Sequence, residues 1–548
     1  MTTPTAARPN HRLWIPTTIC ALAVVLFLVS QAQPELERNI KAWIKGSIMI
    51  LAGLRNALWV IFRSRVPWKT RLLVVILGGL ALAGFSRLVE VDGTIDGTGR
   101  PRWVWKNSRA PLFGPAPNTS PAPPPSTAAN TNTNTNPPAR ADLEKLLSDV
   151  PQFFGPARDG VIRGANLATD WNATPPKLLW RQPIGGGWSA FAVVGTRAFT
   201  QEQRGENELV SCYEIVTGRL LWAHTNQARF FQWQSGEGTR ATPTVLAERV
   251  FAIGGTGILD CLDAATGRLV WSRNVLTENK LGNLTWGVSA SPLVFDESVV
   301  VTGGQTAGPT VLAYHRETGA PLWRAGTDKA SYSSPILATI AGRRVILSVN
   351  AASFTVHDST NGTVLLDQPW SNDKWPKAAQ PVVLDHDRVF LSAGYGIGCQ
   401  MLQLKFLNDG KLVATELWSG RSMKNQFNST THRDGFLYGL DDGFLACVEA
   451  ATGQRRWKDG RFGSGQSLLV DDLVLIQSEP GPIVLARARP DAYEELARLP
   501  ALSGKTWTHP TLAGRLLLVR NNHEAACYEL PAAGTATNVS AVKAGNAK

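Results

Sequence analysis

The stretch "CLDAATGRLVW" (residues 261–271) indicates the fold, because close copies of it recur along the chain. One copy is "CYEIVTGRLLW" (residues 212–222) and another is "CVEAATGQRRW" (residues 447–457). Each copy joins a small apolar residue, a turn with glycine, and a tryptophan that follows the glycine by four places. A pattern that repeats within one chain is typical of stacked structural units. The shared positions are therefore predicted to be structural: Cys261 in a small core slot, Gly267 in a turn, and Trp271 against a neighbouring unit.

The repeat can be followed through the position that Cys261 occupies. This position holds, in chain order, Cys212, Cys261, Ala313, Val356, Leu404, Cys447 and Cys527. Exchange of Cys with Ala, Val and Leu indicates a small buried apolar slot, where a free cysteine is common. These cysteines are therefore predicted to be unpaired and inert, since each belongs to a different unit. The long interval before Cys527 contains a degenerate unit at residues 471–499, without the glycine or the tryptophan, which makes eight units.

The units predict an all-β fold, an eight-bladed β-propeller of four-stranded blades over residues 151–530. Alternating strands separated by Asp-Gly, Asn-Gly and Thr-Gly turns, at a period of about 40–50 residues, are typical of this architecture. The last unit ends at residues 527–534 without its tryptophan strand, whereas "PPKLLWRQP" (residues 175–183) is such a strand without a unit. The N-terminal strand is therefore predicted to complete the eighth blade and close the ring. The predicted blade-docking residues are Trp180, Trp222, Trp271, Trp323, Trp418 and Trp457.

Residues 1–90 are predicted to be an α-helical transmembrane region. Its spans are expected at about 13–30, 44–62 and 72–89. The middle span contains Arg55, which costs about 2.5–3.5 kcal/mol at the centre of a bilayer. "RSRVPWKTR" (residues 63–71) is typical of a cytoplasmic loop. Three spans then place the propeller on the periplasmic side of a bacterial inner membrane, as a multi-pass protein with the lipid bilayer as partner. Two spans, with an interfacial middle helix, would return it to the cytoplasm; the charges favour three.

The linker that precedes the propeller and the tail that follows it are predicted to be disordered. Residues 91–150 comprise a short segment and a linker rich in Pro, Asn and Thr (residues 116–141), and residues 531–548 form a polar tail. The net charge of +12 belongs mainly to the N-terminal part. Residues 1–150 carry 17 Lys and Arg against 8 Asp and Glu, and the remainder carries 38 against 35. No nucleic-acid partner is predicted, because the propeller has almost no basic excess.

The units "TGRLLW", "TGRLVW" and "TGAPLW", together with "FFGPARDG" (residues 153–160), resemble the PQQ-type eight-bladed propeller repeat. The resemblance covers roughly residues 151–530. It implies two branches of function: quinoprotein dehydrogenases use pyrroloquinoline quinone (PQQ), whereas BamB-like proteins are non-catalytic scaffolds of outer-membrane assembly. A shared fold does not choose between the two branches.

The alcohol-dehydrogenase branch implies an adjacent Cys-Cys disulfide, a Ca²⁺ held by Glu, Asn and Asp, and a catalytic Asp. The sequence has neither adjacent cysteines nor a C-x-x-C-H haem motif. The neighbouring carboxylates Asp441-Asp442 and Asp471-Asp472 stand where strand-to-strand turns are expected. The predicted function is therefore a non-catalytic binding or scaffold module of the cell envelope, without a cofactor and with an envelope protein or polymer as partner. The alternative is an oxidoreductase that depends on PQQ and calcium.

The candidate binding residues follow from prolines that recur at the start of the units. Proline is tolerated at a sheet edge, and the innermost strand of a blade is an edge. The polar residue before each proline is predicted to face the central channel, together with an aromatic or basic residue nearby. The candidates are Trp188, Arg240, Thr242, Ser291, Tyr332, Ser334, Gln380 and His509. These residues would either bind a ligand or peptide or line a water-filled channel. "GYGIGC" (residues 394–399) is predicted to be a glycine-rich bend between two blade strands.

Overall fold

The computed structural model describes residues 14–33, 38–63, 67–95, 97, 99–105, 146–385 and 387–534. The chain divides into two compact units, residues 1–111 and residues 112–548. The linker predicted at residues 116–141 lies outside the described residues, as do residues 535–548 of the predicted tail.

The N-terminal unit contains three helices and a hairpin. Its elements are α1 (Trp14–Ala32), α2 (Arg38–Arg63), α3 (Trp68–Leu88), β1 (Val89–Thr94) and β2 (Pro101–Trp105). The two strands form an antiparallel sheet in which Val89 pairs with Trp105. The helices occupy the three stretches for which membrane spans are predicted.

The three helices differ in their fitness to cross a bilayer. Among the described residues, α3 is the one helix that is long and apolar enough to do so, and α1 contributes a shorter apolar stretch, Cys20–Ala32. Helix α2 is long enough, but it carries Lys41, Lys45 and Arg55. A single candidate span is therefore shown, and the three-span anchor stays a prediction.

The C-terminal unit is an eight-bladed propeller, which confirms the predicted fold. Each of its eight main sheets has four consecutive antiparallel strands, apart from the closure of blade 8 and one added strand in blade 7. Blade 1 is built from β5 (Ala192–Val194), β6 (Arg197–Arg204), β7 (Asn207–Glu214) and β8 (Leu220–Asn226), and blade 2 from β11 (Thr244–Leu246), β12 (Arg249–Ile253), β13 (Ile258–Asp263) and β14 (Leu269–Asn274). Blade 3 is built from β15 (Leu293–Phe295), β16 (Ser298–Thr302), β17 (Val311–His315) and β18 (Pro321–Ala325), and blade 4 from β19 (Ile336–Ile340), β20 (Arg343–Val349), β21 (Ser353–Asp358) and β22 (Val364–Pro369).

The second half of the ring continues in the same order. Blade 5 is built from β23 (Val382–Leu384), β24 (Arg388–Ala393), β25 (Gly398–Phe406) and β26 (Leu412–Gly420), and blade 6 from β27 (Thr431–Arg433), β28 (Phe436–Asp441), β29 (Phe444–Glu449) and β30 (Arg455–Asp459). Blade 7 is built from β31 (Gln466–Val470), β32 (Leu473–Gln477), β33 (Ile483–Arg487) and β34 (Glu495–Leu499), and blade 8 from β35 (Thr511–Ala513), β36 (Leu516–Arg520), β37 (Glu524–Glu529) and β4 (Lys177–Pro183).

Three short elements lie outside this pattern. Strand β3 (Val161–Ile162) joins blade 7, β9 (Phe231–Gln232) and β10 (Gly236–Glu237) form a hairpin between blades 1 and 2, and α4 (Val275–Glu278) follows blade 2.

The N-terminal strand closes the ring as predicted. Strand β4 pairs antiparallel with β37, and Trp180 lies opposite Cys527. The outer strand of blade 8 therefore comes from the beginning of the propeller and its other three strands from the end. This closure satisfies the edge of β37, which would otherwise expose unpaired backbone groups.

The degenerate unit is also a complete blade. Strands β32, β33 and β34 lie within residues 471–499, and Leu485 pairs with Ala497 where other blades place a tryptophan. The carboxylate pairs lie at the predicted turns, except for Asp441, which is the last residue of β28 and is fully buried. Asp442 and Asp471 lie in the β28–β29 and β31–β32 turns at φ +50° and +52°. "GYGIGC" forms the bend between β24 and β25.

The predicted register is wrong in blade 5. Leu404 was expected in the cysteine slot, but Met401 lies opposite Trp418 and Leu404 pairs with Ala414. The β25–β26 hairpin is longer than its counterparts, because both strands extend to the turn around Gly410. The tryptophan is therefore farther from the turn here, and counting back from the turn misplaces the slot.

The slots hold free cysteines, as predicted. Cys212, Cys261, Cys447 and Cys527 are unpaired and fully buried. Burial raises the pKa of Cys212 and of Cys261 to about 12, so that both thiols stay protonated at neutral pH.

The repeated tryptophans and glycines meet between neighbouring blades. Trp222 Nε1 donates to Ala264 O of blade 2 at 3.2 Å, and a Cβ on Gly267 would lie 2.4 Å from Trp222 Cε3. Gly267 has φ +73°, which favours glycine. Corresponding contacts to the next blade's glycine exist for Trp180, Trp271, Trp323 and Trp418, and Trp457 Nε1 donates to Arg489 O in blade 7.

Candidate functional site at the mouth of the propeller channel

The eight predicted site residues lie at two levels before the inner strands, which surround the central channel of a propeller. The inner ring comprises residues two places before an inner strand, and the rim comprises residues four places before one. The inner ring contains Thr242, Ser291, Ser334, Gln380 and His509. The rim contains Trp188, Arg240 and Tyr332.

The hydroxyl groups of the inner ring bond one blade to the next. Thr242 Oγ1 accepts from Ala190 N at 3.1 Å, and Ser291 Oγ accepts from Thr242 N at 2.9 Å. Ser334 Oγ then accepts from Ser291 N, also at 2.9 Å. The chain of bonds runs from blade 1 to blade 4, and all four residues are almost completely buried. These hydroxyls therefore hold the blades in register around the channel.

Two glutamines extend this arrangement in the other half of the ring. Gln380 N donates to Ser429 Oγ at 3.0 Å, and Gln380 Nε2 donates back to Ser334 O at 3.3 Å. In blade 7, Gln466 Nε2 donates to Trp507 O at 2.8 Å. The inner ring thus consists of hydrogen bonds between neighbouring blades. This arrangement resembles a hydrogen-bonded channel, which is one of the two alternatives that the sequence allows for these residues.

His509 is sealed inside the channel by two aromatic rings. The ring centroids of Phe153 and Phe154 lie 5.0 and 5.1 Å from the imidazole, both edge-on. Neither ring nitrogen of His509 has a hydrogen-bond partner. Burial lowers the pKa of His509 to about 3, so that the imidazole is neutral at every physiological pH. His509 therefore serves as an apolar core residue.

The two phenylalanines belong to a segment that crosses one end of the channel, here called the closing segment (residues 146–163). It begins against blade 8, where Leu146 O accepts from Arg515 N, and continues beside blade 1, where Val150 pairs with Val193. It ends as β3, which pairs in parallel with β31 of blade 7. Its backbone partners Arg515, Leu469 and Val470 lie at or just beyond the C-terminal ends of inner strands, so the chain itself closes this end of the channel.

Arg158 anchors the middle of the closing segment. Its Nη1 donates to Pro292 O at 2.8 Å and its Nη2 to Ser291 O at 3.0 Å. The side chain is buried, and this burial lowers the pKa of Arg158 to about 9, which still leaves it charged at neutral pH. The guanidinium thus binds two backbone carbonyl groups, that of Ser291 in the inner ring and that of Pro292 next to it.

The opposite end of the channel is lined by aromatic side chains. The ring centroids of Trp188 and Trp507 are 5.1 Å apart, and Phe427 lies 5.1 Å from Trp507. Trp286 and Tyr332 form a second pair at 5.6 Å. Stacked and edge-on aromatic pairs are stable arrangements that retain large apolar faces. We call this end of the channel the mouth.

Two cations stand among the aromatic rings of the mouth. Lys505 Nζ lies 4.4 Å from the centroid of Trp507 and 5.3 Å from that of Trp188. The guanidinium of Arg240 lies 4.5 Å from the ring of Phe230 and donates to Ser235 Oγ at 2.7 Å. Burial lowers the pKa of Arg240 to about 10. Arg240 remains cationic at neutral pH and Lys505 adds a second basic side chain, so the mouth combines aromatic rings with basic groups.

Two carboxylates near the mouth are engaged by neighbouring groups. Glu208 accepts from Gly255 N at 3.0 Å, and its burial raises its pKa to about 7. Glu479 accepts from Trp507 Nε1 at 2.8 Å and from Ser464 N at 2.9 Å. Glu479 thereby fixes the orientation of Trp507, and Glu208 bonds blade 1 to blade 2.

Sequence reasoning found three rim residues and missed Phe427 and Trp507. Both stand four places before an inner strand, as Trp188, Arg240 and Tyr332 do. The signal was therefore present in the repeat, but it becomes visible only when the units are aligned on the inner strand. The role of the closing segment was missed because its contacts join positions far apart in the chain.

The comparisons with known proteins agree with this fold. The family model described as "Outer membrane protein assembly factor BamB" matches residues 160–283 and 206–459. No curated protein sequence gives a significant match. Among solved structures, the quinohemoprotein alcohol dehydrogenase from Comamonas testosteroni is 13% identical, with a TM-score of 0.52 over 72% of this chain and 82% of that chain. BamB from Moraxella catarrhalis is 12% identical, with a TM-score of 0.48 over 65% of this chain and 100% of that chain.

At 13% identity, the structure from Comamonas testosteroni shares the fold of this chain, and a shared fold does not establish a common activity. The family model, in contrast, covers more than half of the chain and most of the propeller. The matched residues contain blades 1 to 6 of the propeller. The chain therefore belongs to the PQQ-like β-propeller family described by the outer membrane protein assembly factor BamB.

Proposed function

We propose that this protein is a membrane-anchored, non-catalytic module of the cell envelope that binds a protein or polymer partner at the mouth of its propeller. The observation that carries the proposal is a channel that is closed at one end and open at the other. One end is closed by the closing segment, and the other is lined by tilted aromatic pairs with two basic side chains among them. Aromatic and basic side chains are the groups that contribute most to binding surfaces.

The ionisable groups of the mouth support binding rather than catalysis. Glu479 orients Trp507, Glu208 bonds to Gly255, and Arg240 bonds to Ser235. A catalytic acid or base needs to reach a substrate proton at hydrogen-bond distance. These groups instead bond to neighbouring parts of the fold.

The residues present do not fit the calcium–quinone site that the family resemblance implies. Such a site needs converging oxygen ligands for Ca²⁺. Glu208 and Glu479 stand on different blades, and the part of the chain that the structure describes has no group of three or more His, Cys, Asp or Glu side chains able to hold a metal. The cysteines occupy separate blades, so a disulfide over a quinone has no counterpart in the described propeller.

A redox assay tests this choice. The full chain in detergent is mixed with PQQ and Ca²⁺, and reduction of an artificial dye is followed after addition of alcohols or sugars. We expect neither a bound-quinone spectrum nor substrate-dependent dye reduction. Saturable quinone binding with turnover would replace the binding proposal with the oxidoreductase alternative.

We propose further that three N-terminal helices anchor the protein and that the propeller lies on the periplasmic side. The support is the basic loop at residues 63–71 and the apolar helix α3, together with the envelope role in the name of the family model. Alkaline phosphatase, which is active only outside the cytoplasm, should be active when fused after Gly93. Inactive fusions there, with active cytoplasmic reporters at the same position, would place the propeller inside.

A further inference from the structure

Beside the fifth blade, the structure contains a surface cleft of about 350 Å³ that the mouth does not use. It lies between the loop that follows β22 and the bend between β24 and β25. Its walls include Trp370, Asn372, Trp375, Tyr395 and Ile397. None of the residues that line it is charged.

Two aromatic side chains in the wall of the cleft stack on each other. The rings of Trp375 and Tyr395 are nearly parallel, with an angle of 5° and a centroid separation of 5.5 Å. Trp375 is 38% exposed, which is unusual for a residue of its size in a folded protein. The pair forms an apolar surface that solvent can reach. Tyr395 adopts φ +59° between two glycines, a conformation that a bulky side chain rarely takes.

A buried lysine holds the loop that carries Trp375. Lys377 Nζ donates to Asn372 O at 2.8 Å, to Trp375 O at 3.4 Å, and to Ala351 O. Lys377 N donates to Ser331 Oγ at 2.9 Å. These bonds fix both ends of the loop on the propeller. Trp375 is therefore presented by an ordered scaffold, and the cleft is formed before a ligand arrives.

Polar groups accompany the aromatic wall. Ser371 and Asn372 add a hydroxyl and a carboxamide to the lining of the cleft. Charged groups next to the cleft are engaged: Lys329 Nζ pairs with Asp373 Oδ2 at 2.9 Å, and Arg421 Nη2 donates to Gly396 O at 3.0 Å. An uncharged cleft with one flat apolar wall and hydrogen-bonding groups at its edge favours a neutral ligand that has one apolar face and many hydroxyls. Pyranose sugars with equatorial substituents have this character, because their axial C–H bonds form an apolar face.

We propose that the cleft defined by Trp375 and Tyr395 is a carbohydrate subsite that takes a β-1,4-linked pyranose chain. The sugar ring stacks on the exposed aromatic surface, and its hydroxyls bond to Ser371 and Asn372. The β-1,4 linkage is equatorial, so successive rings of the chain keep their C–H faces accessible. The inference rests on the proposed function, since it names one polymer class for a module that lies outside the cytoplasm.

The test is calorimetric titration of the full chain in a detergent without a sugar headgroup. The probes are N-acetylchitotetraose and cellotetraose, which separate an N-acetylated cell-wall sugar from a plain glucan. We expect saturable binding of at least one tetrasaccharide. Trp375→Ala should weaken that binding at least tenfold. Leu178→Ala is the control, because Leu178 is 47% exposed on β4 of blade 8, and it should leave the affinity unchanged.

A second variant keeps the test decisive if Trp375→Ala disturbs the loop. Tyr395→Asn removes the ring but suits the left-handed backbone, so it should weaken binding without loss of thermal stability. Absence of binding to both tetrasaccharides, or equal weakening by Leu178→Ala, would overturn the proposal. The redox and fusion assays do not depend on the cleft. They can therefore uphold the proposed function when the sugar titration fails, or refute it when the titration succeeds.

Discussion

Gly267 and Trp222 show at the residue scale why the repeat is retained. The glycine has φ +73°, and its missing side chain leaves space that the indole of Trp222 fills. Gly267→Ala should therefore meet two penalties. The left-handed backbone costs about 1–2 kcal/mol for a residue with Cβ, and the overpacked contact costs about 1–3 kcal/mol more.

Gly195→Ala separates the two penalties. Gly195 has φ +54°, and a Cβ there meets nothing within 4 Å, so only the backbone cost applies. Denaturant unfolding of both variants, followed by tryptophan fluorescence, measures the difference. Equal losses in the free energy of unfolding would show that the indole contact contributes nothing.

Glu208 should make stability depend on pH. Burial raises its pKa from 4.5 to about 7, so the folded protein keeps a proton that the unfolded chain releases between these values. Stability from this group is complete below pH 4.5 and is lost as the pH rises to 7, by roughly 3 kcal/mol at most. The charged side chains that act on it are Arg240 and Asp260.

Glu208→Gln removes this titration. Relative to the parent protein, its thermal midpoint should rise between pH 5 and pH 8. Glu206→Gln serves as the control, since the Glu206 side chain is 78% exposed and should leave the pH profile unchanged. A parallel pH dependence for Glu208→Gln and the parent would contradict the assigned protonation.

At the scale of elements, strand β4 bears the closure of the ring. Trp180 is 9% exposed, lies opposite Cys527 and donates to Ile215 O at 2.7 Å, which joins blade 8 to blade 1. Trp180→Ala should lower the free energy of unfolding by about 3–5 kcal/mol. Leu178→Ala on the same strand is the control, because Leu178 is 47% exposed. Similar losses for the two variants would show that the closure does not depend on the docked indole.

The closing segment is the second element that the ring depends on. Arg158→Met keeps the length of the side chain but leaves Ser291 O and Pro292 O without their donor, which should cost about 1–3 kcal/mol. Arg163→Met is the control within the same segment, since its side chain is 71% exposed, and should change stability by less than about 0.5 kcal/mol. Thermal unfolding compares the two, and an unchanged midpoint for Arg158→Met would mean that the segment is not anchored there.

Sequence patterns predict elements well where the repeat is regular. The eight blades and the closing role of Trp180 follow from counting units and finding one strand missing at the end. Met401 was missed because the β25–β26 hairpin is longer, and a turn-based count cannot measure a hairpin's length. The closing segment was missed because "FFGPARDG" has no periodicity, and its contacts with His509 and Ser291 arise only in the folded ring.

For the whole molecule, the fold predicts one face for recognition. The closing segment covers one end of the channel and the outer strands form the sides, so a partner reaches the aromatic mouth from one direction. Trp233 lies on the β9–β10 hairpin at this end, where Ser235 O accepts from Trp188 Nε1 at 2.9 Å. Its side chain is half exposed.

Photo-crosslinking in cells tests whether the mouth is the face that binds a partner. A benzophenone amino acid replaces Trp233 at the mouth, Leu322 on the outer strand of blade 3, or Arg163 on the closing segment; all three positions are exposed. We expect a discrete adduct, to a protein or an envelope polymer, from position 233 and none from positions 322 and 163. Adducts from position 322 or 163 without one from position 233 would contradict it.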